Sequence, residues 1–105
     1  MLLSDQGDLD GAEALYREAL KGQRETLGDR HPDTLTSIYC LGLLLKTKGR
    51  LGDAIPLFQE RLEGRAARYG RGHDETRSSA RDLVKVLKKA WRRRQADEVA
   101  ATYGV

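Results

Sequence analysis

The stretch GDLDGAEALYREAL at residues 7–20 returns, forty-two residues later, as GRLGDAIPLFQERL at residues 49–62. The match extends beyond these segments. When residues 7–48 are laid over residues 49–90 without a gap, fourteen of the forty-two positions are identical. A period of this length is typical of solenoids, in which each unit buries its apolar face against the next. The chain is therefore expected to use one packing unit more than once.

The apolar residues within each unit are spaced three and four apart, which predicts amphipathic helices. The first stripe contains Ala12, Leu15, Tyr16, Ala19 and Leu20, and the second contains Leu35, Ile38, Leu41, Gly42 and Leu45. The predicted helices cover residues 8–27, 33–48, 51–69, 74–90 and 92–103. Residues 1–6 would then be the tail of an earlier helix.

Glycines recur at two positions of the repeat. Gly28 and Gly70 follow predicted helices, where they favour left-handed C-caps. Gly22 and Gly64 lie inside predicted helices, where glycine costs about 1 kcal/mol relative to alanine. The recurrence of that cost predicts that another helix approaches closely at both positions.

The linkers before the helices also carry repeated signals. His31 and His73, the only histidines, occupy the same repeat position and are expected to have a structural role in the turn. Pro32 fits the first position of a helix. Asp53 is the expected N-cap of a later helix, which would place Pro56 in its first turn.

The last third of the chain contains no glycine or proline between residues 74 and 103, so local rules alone allow one long helix. The apolar stripes on either side of Trp91 nevertheless point in roughly opposite directions at about 100° per residue. Trp91 also occupies the repeat position of Gly49. We therefore expect the helix to break near Trp91.

The segment LGLLLKTKGRLGDAIPLFQERL at residues 41–62 resembles the tetratricopeptide repeat, with Gly42 in the first helix, Gly49 at the turn, and Ala54 and Phe58 in the second helix. The period and the LGDRHPDT linker resemble the variant found in kinesin light chains. The resemblance implies an all-α, tetratricopeptide-like right-handed superhelix of antiparallel helix hairpins, about two and a half repeats long. It also implies a single domain over residues 1–105, with a partial repeat (1–27), a full repeat (33–69) and a divergent terminal repeat (74–103).

The terminal repeat departs most from the family pattern. Val84 stands at the repeat position of Gly42, which packs closely in this family, and Trp91 stands where the turn glycine is expected. In the full repeat, Arg61 occupies a position at which the family usually has alanine.

The composition and motifs favour a protein without catalytic chemistry. The sequence has no phosphate-binding glycine motif, no histidine pair on a helix face, and no serine or cysteine with a base nearby in sequence. We expect no enzyme activity, no cofactor and no metal. A lone Cys40 and the lack of a long apolar segment favour an intracellular, cytoplasmic protein, with an organelle left open.

The strongest functional signal is the segment KVLKKAWRRR at residues 85–94, in which six of ten residues are basic. In tetratricopeptide stacks the first helices line the concave surface, which implies a groove here. Its predicted residues are Tyr39, Leu43, Lys46, Arg81, Lys85, Lys88 and Lys89. A cationic wall beside apolar side chains favours an acidic peptide or a C-terminal carboxylate. The two asparagines of the family's carboxylate clamp are absent.

The sequence thus predicts a non-enzymatic interaction scaffold that binds an acidic peptide or a larger subunit. The open repeat ends leave self-association, or a place within a longer repeat protein, as further expectations. The alternative is a basic accessory module that binds nucleic acid or, peripherally, an anionic membrane. The absence of a recognition motif disfavours nucleic acid. An equally weighted interpretation is that the basic cluster is only the solvated face of a terminal helix.

Overall fold

The computed structural model describes residues 6–105, which form five helices and no strand. The helices are α1 (Gln6–Leu27), α2 (Pro32–Thr47), α3 (Leu51–Tyr69), α4 (Asp74–Lys89) and α5 (Arg93–Tyr103). All five begin and end within two residues of the predicted bounds. The earlier helix expected at residues 1–6 lies outside the described residues, except for Gln6, which belongs to α1.

The helices pack in chain order, each against the next. Connections of three or four residues join them, so neighbouring helices run antiparallel. A continuous core of buried side chains runs through the stack; its largest members are Phe58, Ile38, Leu41, Leu45 and Val86. This arrangement confirms the expected all-α stack of helix hairpins.

Both histidines cap the helices that follow them. His31 and His73 have extended backbones, and the Nδ1 atom of each accepts a hydrogen bond of 3.1 Å from the backbone N–H two residues later. Each bond satisfies one of the free N–H groups at a helix start. The structural role predicted for the two histidines is confirmed, and Pro32 is the first residue of α2.

The N-cap of α3 differs from the prediction, although the helix begins at the predicted residue. Its N-cap is Arg50 and not Asp53, because the helix already begins at Leu51. Pro56 therefore lies in the second turn, where it cannot donate to the carbonyl of Gly52. The Pro56 side chain is exposed, and α3 continues through this position to Tyr69.

A residue with positive φ follows each of the five helices: Gly28, Gly49, Gly70, Trp91 and Gly104. Gly70 has φ 91° and ψ 161°, so it has the predicted positive φ but not the ψ of a left-handed cap.

The predicted break near Trp91 is confirmed, since α4 ends at Lys89 and α5 begins at Arg93. Trp91 has φ 62°, close to the 79° of its repeat equivalent Gly49. The left-handed conformation costs a non-glycine residue about 1–2 kcal/mol.

Close approach of another helix was predicted at Gly22 and Gly64, and the structure shows it only at Gly64. A Cβ atom added at Gly64 would lie 2.6 Å from Leu35 Cδ2, and one added at Gly42 would lie 3.2 Å from Phe58 Cε2. These two glycines let α2 and α3 pack closely. No atom of the described residues lies within 4 Å of a Cβ added at Gly22, so the prediction was wrong there.

Ion pairs attach helix α1 to the rest of the stack. Leu20 is the only fully buried side chain among its described residues. Near its start, Glu13 accepts hydrogen bonds of 2.8 Å from Lys48 and from Arg50, both in the connection between α2 and α3. Lys48 also pairs with Asp10. The interaction of Glu13 with Lys48, followed by that with Arg17, lowers the pKa of Glu13 from 4.5 to about 2.

A second ion pair attaches the other end of α1. The Arg24 guanidinium contacts both carboxylate oxygens of Glu60 in α3, at 2.5 and 2.8 Å, and also donates to Asp29. This pairing raises the pKa of Arg24 further above its usual value. Charge-assisted contacts thus fix α1 at both ends.

Gly22 and Gly64 occupy equivalent repeat positions but have different surroundings, so substitution by alanine should affect stability differently at the two positions. Gly22→Ala should raise the free energy of unfolding by about 0.5–1 kcal/mol, because alanine favours the helix and the space is open. Gly64→Ala should instead lower it by about 1–3 kcal/mol, because the buried Leu35 must move. Urea unfolding followed by circular dichroism measures both. Equal effects of the two substitutions would contradict the close contact.

The depressed pKa of Glu13 predicts how stability changes with pH. The carboxylate should stabilise the fold fully above pH 4.5, its unfolded value, and this contribution should be lost as pH falls towards 2. Glu13→Gln should remove this part of the pH dependence of the unfolding free energy between pH 5 and pH 2. The matched control is Glu63→Gln on exposed α3 surface, which should leave the dependence unchanged. If the unfolding free energies of the wild type and of Glu13→Gln changed equally with pH, the ion pairs of Glu13 with Lys48 and Arg50 would not stabilise the fold.

Candidate peptide-binding groove

A cavity of about 110 Å³ lies between α2 and α4 on the surface formed by the first helices of the two repeats. Helix α3 closes it from below with Phe58. The lining side chains are Tyr39, Leu43, Lys46, Phe58, Asp82, Lys85 and Val86. We call this cavity and its rim the groove.

The floor of the groove is aromatic and apolar. The rings of Tyr39 and Phe58 meet edge to face, with centroids 5.9 Å apart and planes at 84°. Phe58 is 1% exposed and Val86 is also buried, so the floor is a part of the core that reaches the surface. Edge-to-face contact fixes the orientation of the two rings.

A buried arginine lies beside this floor. Arg61 is only 6% exposed, and its Cζ atom lies 3.8 Å from the centroid of the Tyr39 ring, a cation–π contact. Its Nη1 donates a hydrogen bond of 2.8 Å to Asp82 Oδ2. The charge of the only acidic residue that lines the groove is therefore compensated by Arg61.

Two lysines give the groove its net charge. Lys46 lies on α2 and Lys85 lies on the facing α4. Within residues 8–105, neither ammonium group is within 4 Å of a carboxylate. The rim thus presents two positive charges above an apolar floor.

The structure brings four of the seven predicted groove residues together. Tyr39, Leu43, Lys46 and Lys85 line the same cavity, whereas Arg81, Lys88 and Lys89 are exposed on α4 and do not line it. Lys88 and Lys89 lie in the last turn of α4, where positive charge interacts favourably with the helix dipole. Arg92 lies beyond the end of α4, in the connection to α5.

Sequence reasoning missed three groove residues and the buried arginine beside them. Phe58, Asp82 and Val86 were assigned to no site, and Arg61 was noted only as a departure from the family alanine. That departure was the available signal, because a charged residue at a buried repeat position requires a partner. Asp82, its partner, stands at the repeat position of Cys40, so the repeat itself gave no indication of it.

Two other kinds of site are absent from the described part of the chain. Residues 6–105 contain no group of three or more His, Cys, Asp or Glu side chains placed to hold a metal ion. No helix among them has the length and apolar character needed to cross a bilayer.

The sequence of this helical stack matches a known repeat family. Residues 1–67, more than half of the chain, match the tetratricopeptide repeat family. The chain belongs to the tetratricopeptide repeat family. No curated protein matches this tetratricopeptide chain.

Solved structures show the same fold. Two crystal structures of a kinesin light chain-type protein from Podosopora anserina, with nearly identical TPR-like repeats, superpose with TM-scores of 0.78 and 0.80 at 21% sequence identity. Each alignment covers 92% of this chain and 46% of the other, so this tetratricopeptide chain spans about half the length of those proteins. The likeness confirms the fold expected from the forty-two-residue repeat.

Proposed function

We propose that this chain is a non-enzymatic scaffold whose groove binds an extended acidic segment of a partner protein. Tetratricopeptide repeats are in general protein–protein interaction scaffolds. The observation that carries the proposal is the pair of facing lysines, Lys46 and Lys85, above an apolar floor whose one acid is already paired with Arg61.

The dimensions of the groove support a peptide as the ligand. Small-molecule sites usually enclose about 300–1,000 Å³, whereas the groove encloses about 110 Å³. This space suits one aliphatic side chain of a segment that continues along the surface. Carboxylates on either side of that side chain would contact Lys46 and Lys85, where charge complementarity adds specificity and speeds association.

The groove proposal is tested with a fluorescein-labelled peptide, Gly-Glu-Leu-Glu-Glu-Leu-Glu-Gly, and its counterpart with Gln in place of Glu. Lys46→Glu and Lys85→Glu should each weaken binding of the acidic peptide at least about tenfold, which corresponds to 1.4 kcal/mol. Binding is measured by fluorescence anisotropy at 150 mM salt, with helicity checked by circular dichroism.

Lys89→Glu is the matched control, since it makes the same change on the exposed surface of α4 away from the groove. It should weaken binding less than threefold. If Lys89→Glu reduced affinity as much as Lys85→Glu, attraction to the general positive charge of α4 would account for binding. If the Gln peptide bound as tightly as the Glu peptide, the proposed ligand class would be wrong.

One observation favours the second candidate function, binding to a polyanionic surface. Trp91 is 92% exposed in a left-handed turn, with Lys88 and Lys89 before it and arginines at residues 92–94 after it. An exposed indole among basic side chains has the composition of a contact with anionic lipid headgroups. It could also stack on a base of single-stranded nucleic acid.

This second candidate predicts that Trp91→Ala weakens sedimentation with vesicles of 30% phosphatidylserine at least about threefold, because the indole no longer inserts. A labelled single-stranded oligonucleotide serves as the other arm of the experiment. Lys85→Glu tests whether the groove contributes to vesicle binding. Equal vesicle binding by the wild type and Trp91→Ala would reject the lipid contact.

A further inference from the structure

A second cavity lies in the cleft between α2 and α4, further along the same helices as the groove. Its volume is about 180 Å³, and its lining residues are Pro32, Leu35, Thr36, Arg65, Tyr69 and Glu75. We call it the Arg65 cavity. Like the groove, it is bounded by residues of α2, α3 and α4, so a segment bound along the cleft can contact both cavities.

One face of α3 connects the two cavities. Its residues follow one another at spacings of three or four, which places them on the same side of the helix: Phe58, Arg61, Arg65 and Tyr69. Phe58 closes the groove from below, and Arg65 and Tyr69 line the Arg65 cavity. The cleft therefore contains two arginines of the same helix, about one turn apart.

The charge of Arg65 has no counterion among the described residues. Its Nη1 donates hydrogen bonds of 3.1 Å to the backbone oxygen of Glu75 and of 3.0 Å to Ser79 Oγ, which are both neutral acceptors. Within residues 8–105, no carboxylate oxygen lies within 4 Å of its guanidinium. Burial, followed by the charge of Arg61, lowers the pKa of Arg65. Because a partly buried cation without an anion is unfavourable, a ligand of negative charge would stabilise this site.

Arg61 differs from Arg65 in this respect. The Nη1 atom of Arg61 donates a hydrogen bond of 2.8 Å to Asp82 Oδ2, which compensates its charge. The equivalent positions of α1 hold Ala19 and Gln23, so a charge at either position is not part of the repeat pattern. Arg65 thus belongs, like most groove residues, to the positions at which the repeats differ.

The side chains around Arg65 favour a carboxylate as the ligand. Its Nη2 and Nε atoms and the hydroxyl of Tyr69 make no hydrogen bond to any described residue, so they can donate to an anion in the cavity. Glu75 also lines the cavity, and its charge opposes an added anion. This repulsion is smaller for a carboxylate, with one charge, than for a phosphoryl group, with about two.

We propose that the Arg65 cavity binds a glutamate side chain of the same extended segment that places an apolar side chain in the groove. The inference rests on the proposed function and adds a second contact at a defined distance. Phe58 and Arg65 are seven residues apart on α3, which is about 10 Å at the helical rise. Three residues in the polyproline II conformation advance by about 9 Å and return the side chain to the same side of the segment. The glutamate should therefore stand three residues from the apolar residue.

The test uses two fluorescein-labelled peptides that differ only at this spacing. The first is Gly-Glu-Gly-Glu-Leu-Glu-Gly-Glu-Gly, with an outer glutamate three residues from the leucine on each side, so that either chain direction is covered. The second has Gln in place of both outer glutamates. Fluorescence anisotropy at 150 mM salt should show that the wild type binds the first peptide at least about fivefold more tightly, because a charge-assisted hydrogen bond to Arg65 is gained.

Arg65→Gln should reduce this preference to less than about twofold, since the guanidinium is removed. Glutamine is the residue at the equivalent position of α1, and circular dichroism checks that the variant keeps its helicity. Arg65→Met, which retains good helix propensity, serves as a second variant. The matched control is Arg68→Gln, which makes the same loss of charge on the exposed surface of α3 and should leave the preference unchanged.

The proposal is overturned if folded Arg65→Gln and Arg65→Met keep the full preference for the outer glutamates, or if Arg68→Gln removes it equally. Lys85→Glu tests the groove separately, because it should weaken binding of both peptides. If only this proposal is wrong, the peptide with outer Gln still binds in a manner that depends on Lys85. Failure of both peptides to bind, or binding of both without dependence on Lys85, would overturn the proposed function together with this inference.

Discussion

The close packing of α2 against α3 is the contact on which the rest of the structure depends. Gly42 and Gly64 remove the Cβ atoms that would otherwise hold the two helices apart, so Phe58 and Leu35 fill the space directly. This contact fixes the position of Phe58, and Phe58 in turn orients Tyr39 at the floor of the groove. The groove is therefore an exposed edge of the core, and its shape is as well determined as the core itself.

The stack is held together by different forces at different places. Helices α2, α3 and α4 share most of the buried apolar residues, and hydrophobic burial is their main stabilisation. Among the described residues of helix α1 only Leu20 belongs to that core, and the ion pairs of Glu13 and Arg24 also attach this helix. Such pairs weaken with salt and at low pH, whereas apolar contacts do not. The conditions that release α1 should therefore leave the α2–α4 core folded.

Apolar periodicity and the repeat predicted the helices because helix formation depends on local sequence. The caps were predicted only in part, since Arg50 and not Asp53 precedes α3. His31 and His73 cap their helices identically, since a cap involves only residues two positions apart. The repeat failed at Gly22, because equivalence predicts the conformation of a residue but not which helix lies next to it. The pairing of Arg61 with Asp82 was also beyond prediction, because it joins two helices whose relative position only the folded chain determines.

The positions at which the repeats agree and those at which they differ have separate roles. Leu20 and Leu62, like Leu41 and Leu83, are identical pairs and are all buried in the core. The groove is built mostly where the repeats differ: Tyr39 corresponds to Arg81, Leu43 to Lys85, and Cys40 to Asp82.

This division follows from the geometry of a solenoid. Core positions must present the same shape in every unit, or the units could not stack. Surface positions are free of that constraint, and neighbouring units can place an apolar residue and a lysine on facing walls. In this chain the differences between the repeats thus coincide with the groove proposed to bind a partner, and the identities coincide with the core that supports it.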